Sequence, residues 1–343
     1  VVPSYIISCV VFTIIVALFA APTELVGTAH AQLIPSLEDI DPLEGIRDIQ
    51  LPTLGGPKFW TDQHLYFGYR IQQNSVTNHC RLLDSENVRL RFGSYEQCVA
   101  KLNEIRNAQR LPSMRGRVVI GVHGWAGTRI VMTPLLTYIE KNEHVRCCRF
   151  EYASTQGVIE DHTNALIRCI QGMPDVEQID FVAHSMGNII LRRVMAKLME
   201  TDPQGRLDPR IHSFVMIAPP NQGAIASETW FDAESVIRAI GGPAIQQLGI
   251  GWSELEPHLA TPPCSFGIIA GGLGNETGLN PLLPGDNDSV VTVATTQLTG
   301  ASDFRVVPAT HTVLTLNPKV MAYTTQFFRN GYFESEESRV AIE

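Results

Sequence analysis

An apolar run from Ile179 to Ala183 feeds into His184-Ser185-Met186-Gly187, and a helical run leaves from Gly187 to Met199. Strand, serine and helix in that order constrain the fold more than any other feature of the chain. A serine at such a junction must take a strained backbone conformation if its hydroxyl is to stand clear at the end of a sheet. The strain is tolerated when the residues two positions away on either side are small, and here they are Ala183 and Gly187. In isolation the pattern also fits an ordinary turn, so its weight depends on its surroundings.

Upstream, Val118 to Val122 reads as a buried strand that ends in His123-Gly124-Trp125-Ala126-Gly127. Acyl transfer needs two backbone N–H donors aimed at a developing oxyanion. Met186, directly after the serine, offers one. Trp125, in a glycine-containing loop after an earlier strand, offers the other, and His123 is expected to orient that loop. Downstream, Asp288 opens Asp288-Ser289-Val290-Val291-Thr292-Val293, and His311 lies in Val307-Pro308-Ala309-Thr310-His311-Thr312. The chain order serine, acid, histidine is that of α/β hydrolases and differs from both serine-protease orders. The candidate catalytic residues are therefore Ser185, Asp288 and His311, with Trp125 and Met186 as oxyanion donors.

On these residues the chain resembles the α/β-hydrolase superfamily. Within it, the chain is similar to bacterial lipases and to lipase-like families related to the GPI inositol-deacylases. The matching stretches are His123-Gly124-Trp125, Ala183-His184-Ser185-Met186-Gly187, Asp288-Ser289-Val290-Val291 and Thr310-His311-Thr312. In small bacterial lipases the acid precedes a two-valine-like strand and a Leu-x-Gly-Ala segment. Leu298-Thr299-Gly300-Ala301 stands at that offset, which selects Asp288 over Asp286. The resemblance runs from Arg117 to about Phe328 and implies a serine hydrolase of acyl or lipid-like carboxylic esters, working through an acyl-enzyme without a cofactor. Two positions depart from the pattern: Ala183 replaces the usual first glycine, and Asn188 stands where many of these lipases carry glycine. A Ser-x-Gly-Asn ending also occurs in relatives of lecithin–cholesterol acyltransferase, so acyl transfer is the alternative chemistry. An exported binding or scaffold protein on an inactive hydrolase fold is the rival of another class.

From Arg117 onward strand-like and helix-like runs alternate, which implies a mostly parallel sheet with helices on both faces. Strands are expected near 117–122, 145–150, 178–183, 212–218, 265–270, 290–293 and 304–307, and helices near 129–141, 158–171, 187–200 and 318–329. The candidate residues then fall on loops at the carboxyl ends of strands, where open α/β sheets place their sites. Residues 221–263 interrupt the alternation with bulky apolar residues and read equally as a lid or as core. Residues 59–110 read as a small α+β module. Strands are expected at Leu65–Ile71, His79–Leu83 and Val88–Phe92, then a helix opened by a capping box at Ser94-Tyr95-Glu96-Gln97. The catalytic domain is expected over 111–333 and an acidic tail over 334–343.

At 343 residues with a net charge of −9 and no basic stripe, nucleic-acid binding is disfavoured. An uncharged apolar run, residues 5–21, precedes Ala29-His30-Ala31, a site of the small-x-small kind cut by signal peptidases. Residues 1–31 are thus expected to be a signal peptide or membrane anchor, followed by a linker over 32–58, in an exported protein associated with membranes through 5–21. No lysine or arginine precedes the apolar run. Six cysteines lie beyond it, and Cys80 with Cys98 is the expected bridge within the small module. The spacing of His144, Cys147 and Cys148 does not make a zinc site, and no metal is expected.

Overall fold

The computed structural model describes residues 48, 50–53, 57–223 and 242–343. The expected leader at 1–31 and most of the linker lie outside the described residues, as do residues 224–241 of the expected insertion. Gly45–Glu343 forms one compact unit.

The centre of that unit is a six-stranded, all-parallel sheet. Its strands are β6 (Gly116–Val122), β7 (Arg146–Phe150), β8 (Val176–His184), β9 (Ile211–Ile217), β10 (Ser265–Gly271) and β11 (Asp303–Val307), in the spatial order β11-β10-β9-β8-β6-β7. Successive side chains on a strand point to opposite faces. Val118, Ile120 and Val122 therefore join one buried cluster, with Phe181, Phe214 and Ile268. Val119 joins the other, with Val182, Val215 and Ile269. Both faces are apolar because helices cover both. Helices α3 (Ile159–Gln171) and α4 (Met186–Thr201) bury Leu166, Ile170, Ile190 and Val194 on the first face. Helices α2 (Thr133–Glu143) and α8 (Pro318–Asn330) bury Leu136, Ile139, Val320 and Phe327 on the second.

The expected strand at 290–293 does not form. Val290 and Val291 turn back and give both their N–H groups to Asp288 Oδ1, at 3.0 and 2.7 Å. A local side-chain acceptor outcompetes the β-propensity of the valines. Thr292 then caps the one-turn helix α7 (Val293–Thr296). Helices α5 (Gly242–Leu248) and α6 (Trp252–Leu255) place Ala244, Leu248 and Leu255 in the main cluster.

Residues 51–109 build a second sheet, antiparallel, in the order β1-β5-β4-β3-β2, closed by α1 (Tyr95–Gln109). The strands are β1 (Leu51–Pro52), β2 (Trp60–Tyr66), β3 (Tyr69–Asn74), β4 (Cys80–Leu83) and β5 (Val88–Gly93). Leu65–Ile71, expected as one strand, is a hairpin. Its chain reverses at Phe67-Gly68, with Phe67 at φ 51°, and the alternation runs unbroken through the turn. The capping box forms, with Ser94 Oγ accepting from Gln97 N at 3.2 Å and Gln97 Oε1 accepting from Ser94 N at 2.9 Å. This sheet has no core of its own. Leu65, Ile71, Leu82 and Leu102 belong to the same cluster as Phe181 and Phe214. At the seam Asp62 N donates to Glu151 O at 2.9 Å, and Ala153 N donates to Thr61 Oγ1 at 3.0 Å.

Cys80 and Cys98 are buried free thiols, as against the expected bridge, and the other described cysteines are free as well. Burial pushes Cys80 up to about 11 and Cys98 up to about 12. Both serve as small apolar packing groups, a common role for buried cysteine. The acidic run at the end of the chain is tied back: Val340 N donates to Asp303 Oδ1 at 2.9 Å, and Ile342 exchanges backbone bonds with Gly300 and Ala301. Among the described residues no helix is long and apolar enough to cross a membrane.

Candidate active site

Ser185 sits at the junction of β8 and α4 with φ 53° and ψ −127°. A non-glycine residue held there stores about 1–3 kcal/mol. What holds it is close packing on both sides. A Cβ on Gly187 would lie 2.6 Å from the His123 carbonyl oxygen and 2.7 Å from that of Val122. A Cβ on Gly124 would lie 2.8 Å from Ser185 Cβ. Two glycines therefore let the loop after β6 pass directly over the serine. From behind, Asn188 Nδ2 donates to the carbonyls of Ser185 at 2.9 Å and Ile217 at 3.1 Å, and Ser185 N donates to Ile217 O at 2.9 Å. The Ser185 side chain does not cap α4, so the hydroxyl is not spent on the helix.

The acid and the histidine come from the loops after β10 and β11. His311 Nδ1 meets Asp288 Oδ2 at 2.6 Å, and His311 N donates to Asp288 O at 2.8 Å. Asp288 is fully buried, and its other oxygen is held by the two valine N–H groups. Buried carboxylates persist when their lone pairs are met in this way. Gly271 makes the room, because a Cβ there would meet Asp288 Cβ at 2.6 Å. Asp286 is turned elsewhere and accepts from Leu273 N at 2.7 Å and Gly274 N at 2.8 Å. His184 Nε2 donates to the His311 carbonyl at 2.9 Å, and the two rings lie 4.7 Å apart. That contact brings His311 beside the elbow. Burial, with His311 nearby, pushes His184 down to about 3, so it stays neutral and keeps the proton it donates.

Both expected oxyanion donors are at this end of the sheet. Met186 N is the first N–H of α4, and such groups have no partner within a helix. Trp125 follows Gly124 in the loop over Ser185 and is 37% exposed. The loop is braced from below. His123 Nδ1 donates to Gly124 O at 2.8 Å, and Tyr152 Oη donates to His123 O at 2.7 Å. Tyr152 stacks on the His123 ring at 4.2 Å, and burial keeps its phenol protonated by raising it well above 10. His123 Nε2 lies 3.2 Å from Glu151 Oε1. Glu151 N in turn donates to Asp62 Oδ2 at 2.8 Å, and Asp62 lies 3.5 Å from Arg70. Burial raises the Asp62 carboxyl and Arg70 opposes that. The small sheet thus reaches the loop through named contacts.

The arrangement joins a strained serine and a buried acid–histidine pair at the carboxyl ends of strands of one parallel sheet, with Met186 and Trp125 in the adjoining helix start and loop. Residues 151–240 match the family described as alpha/beta hydrolase of unknown function (DUF900). Over that segment the chain is similar to α/β hydrolases. The matched segment holds Ser185 but neither Asp288 nor His311. No curated protein sequence matches the chain. Among solved structures it is similar to a gene product from Listeria innocua, at 14% identity over 66% of this chain and 99% of that one, with a TM-score of 0.46. Phospholipase PlaB from Legionella pneumophila matches at 15% identity over 63% of this chain and 57% of its own length, with a TM-score of 0.44. A lipase-esterase related protein from Clostridium acetobutylicum matches at 12% over 62% and 93%, with a TM-score of 0.39. Likenesses of this degree bear on neither substrate nor activity.

Sequence reasoning missed Asp62, Glu151, Tyr152 and Gly271. The first three carry no motif, and their roles depend on contacts between residues far apart in the chain. Gly271-Gly272 reads as a turn, although it is the clearance for the acid loop.

Proposed function

We propose that the protein is a serine hydrolase of carboxylic esters. His311 Nε2 takes the Ser185 proton as Oγ attacks the ester carbonyl. Asp288 holds His311 with its proton on Nδ1 and stabilises the imidazolium that forms. The N–H groups of Met186 and Trp125 receive the oxyanion. Collapse expels the alcohol, which takes the proton from His311 and leaves an acyl-enzyme. Water, losing a proton to His311, then attacks that ester and releases the acid and Ser185. The observation that carries this reading is the His311–Asp288 pair at 2.6 Å, tied to His184, the residue directly before a serine at positive φ.

The loops around the serine support an apolar acyl or lipid-like substrate. Trp125, Ile130 and Val131 after β6, Leu273, Leu282 and Val290 after β10, and Val313 and Leu316 after β11 are all exposed. Thr315 Oγ1 donates to Val131 O at 3.1 Å, which draws two of these loops together. Clustered exposed apolar side chains mark interaction sites. The alternative of acyl transfer gains nothing from Asn188, whose side chain is fully buried and whose Nδ2 is given to backbone carbonyls behind the elbow. A panel of p-nitrophenyl esters of graded chain length, run with and without an added alcohol, tests the reading. Hydrolysis that favours longer acyl chains over acetate supports it. Inactivity toward every ester, or ester product in preference to free acid, counts against it.

A further inference from the structure

The loop after β6 hinges on Gly124, and the backbone torsions of glycine are the freest of any residue. A larger residue is excluded there, because a Cβ would lie 2.8 Å from Ser185 Cβ. The two peptide planes that flank Gly124 must therefore be fixed from outside. Tyr152 does most of this. Its Oη donates to His123 O at 2.7 Å, which fixes the plane before Gly124. Its N donates to His123 Nε2 at 3.4 Å, and the two rings stack 4.2 Å apart at 13°. Nε2 is thus the acceptor of the imidazole, and Nδ1 is its donor. Glu151 Oε1, 3.2 Å from Nε2, makes no hydrogen bond. His123 Nδ1 donates to Gly124 O at 2.8 Å, and Gly127 N donates to the same oxygen at 3.2 Å. These two bonds fix the plane after Gly124. In a trans peptide the C=O and the following N–H point in opposite directions. Holding Gly124 O against the His123 ring therefore turns the Trp125 N–H to the other side.

Tyr152 is itself anchored by the antiparallel sheet. It lies just past the end of β7, and both its chain neighbours are bonded to β2. Asp62 N donates to Glu151 O at 2.9 Å, and Glu151 N donates to Asp62 Oδ2 at 2.8 Å. Ala153 N donates to Thr61 Oγ1 at 3.0 Å. Asp62 is held in turn from β3, where Gln72 Nε2 donates to its Oδ1 at 2.8 Å. The Tyr152 side chain is fully buried, so the anchored segment leaves its ring one place to sit. We propose that Tyr152 is a positioning residue that aims the Trp125 N–H, and that the antiparallel sheet serves the ester site by anchoring it. The proposal rests on the reading that this N–H receives the oxyanion. Tyr152 acts through His123 and Gly124, not on the substrate. Its loss should therefore weaken binding of the transition state and leave binding of the ground state alone.

Two substitutions test it in the full chain. Tyr152→Phe removes the hydroxyl and keeps the stacked ring. Thr61→Val removes the acceptor of Ala153 N at nearly constant volume, and Thr61→Ser puts it back. Hydrolysis of the best p-nitrophenyl ester is measured per active site titrated with a fluorophosphonate, so that misfolded protein does not count. With KM unchanged, kcat should fall by about 10- to 100-fold in Tyr152→Phe and by about threefold or more in Thr61→Val. Thr61→Ser should recover the loss. An alkyl trifluoromethyl ketone gives the second readout. Ser185 Oγ adds to its carbonyl carbon, the serine proton passes to His311, and the carbonyl oxygen becomes the oxyanion. Affinity for the ketone should fall by the same factor as kcat/KM. A merely structural role would lower the number of titrated sites and leave both values per site intact. If Tyr152→Phe does not fold, Thr61→Val with its serine rescue decides alone. Wild-type kcat per site in either folded variant, a change confined to KM, or unchanged ketone affinity overturns the proposal and leaves the hydrolase reading standing. A wild-type protein that is neither labelled nor active on any ester removes that reading, and this proposal with it.

Discussion

Gly187→Ala isolates the geometric requirement of the elbow. The added Cβ would sit 2.6 and 2.7 Å from two backbone oxygens, those of His123 and Val122. Neither is the free end of a side chain, so β6 and its loop must move. Overpacking of this kind costs about 1–3 kcal/mol. Alanine recovers up to about 1 kcal/mol because it favours helix over glycine. The net destabilisation is therefore small, and at roughly 2–4 °C per kcal/mol the melting temperature should fall by only a few degrees. Activity should fall much further. The contact pushes on the segment that carries Gly124 and Trp125 over Ser185, and a misplacement of about 1 Å at a reacting centre costs on the order of 10²-fold. Steady-state ester hydrolysis and calorimetry, run beside Gly249→Ala, give the comparison. Gly249 has no contact nearer than 3.8 Å for a Cβ and should behave as wild type. Wild-type kcat in Gly187→Ala would refute the reasoning, because the close approach of the two loops would then not matter to the site.

Asp288→Asn should lower kcat by roughly four orders of magnitude, since the wrong histidine tautomer is then favoured, while Asp286→Asn, which loosens only the Leu273-Gly274 loop, should cost far less. Initial rates on one activated ester rank the two, and the reverse ranking would assign the acid wrongly. His162 is pushed down to about 4 in the fold from an ordinary 6.5. The unfolded chain therefore binds the extra proton first as pH falls, and folding stability should be lost between about pH 6.5 and pH 4, by on the order of 3 kcal/mol. Denaturant titrations at pH 7 and pH 4.5 should show a smaller loss in His162→Phe than in wild type, and equal losses would show that His162 is not the source.

The parallel sheet was legible because its signals are local. Buried strands such as Val118–Val122 and the strand–serine–helix junction carry their pattern within a few residues. The two long-range partners, Asp288 and His311, were legible only through chain order and family resemblance. The strand expected at 290–293 failed because Asp288 offers its carboxylate to the N–H groups of Val290 and Val291, a competition that β-branched composition does not register. The hairpin at Phe67-Gly68 was hidden because a two-residue turn preserved the alternation. The shared core of the two sheets, and the Asp62–Glu151–His123 contacts across it, depend on residues about 30 to 90 positions apart and have no signature in spacing. The Cys80–Cys98 expectation rested on the small sheet needing a staple, whereas its apolar face is buried against the larger domain.

Labelling with a fluorophosphonate tests the central claim most directly, because it reports an activated serine without any assumption about substrate. The account predicts stoichiometric modification of native protein on the peptide containing Ser185, lost on unfolding, and none in folded Ser185→Ala, whose ester turnover should drop by on the order of 10⁶-fold. Modification at another serine, or near-normal hydrolysis by folded Ser185→Ala, would contradict it.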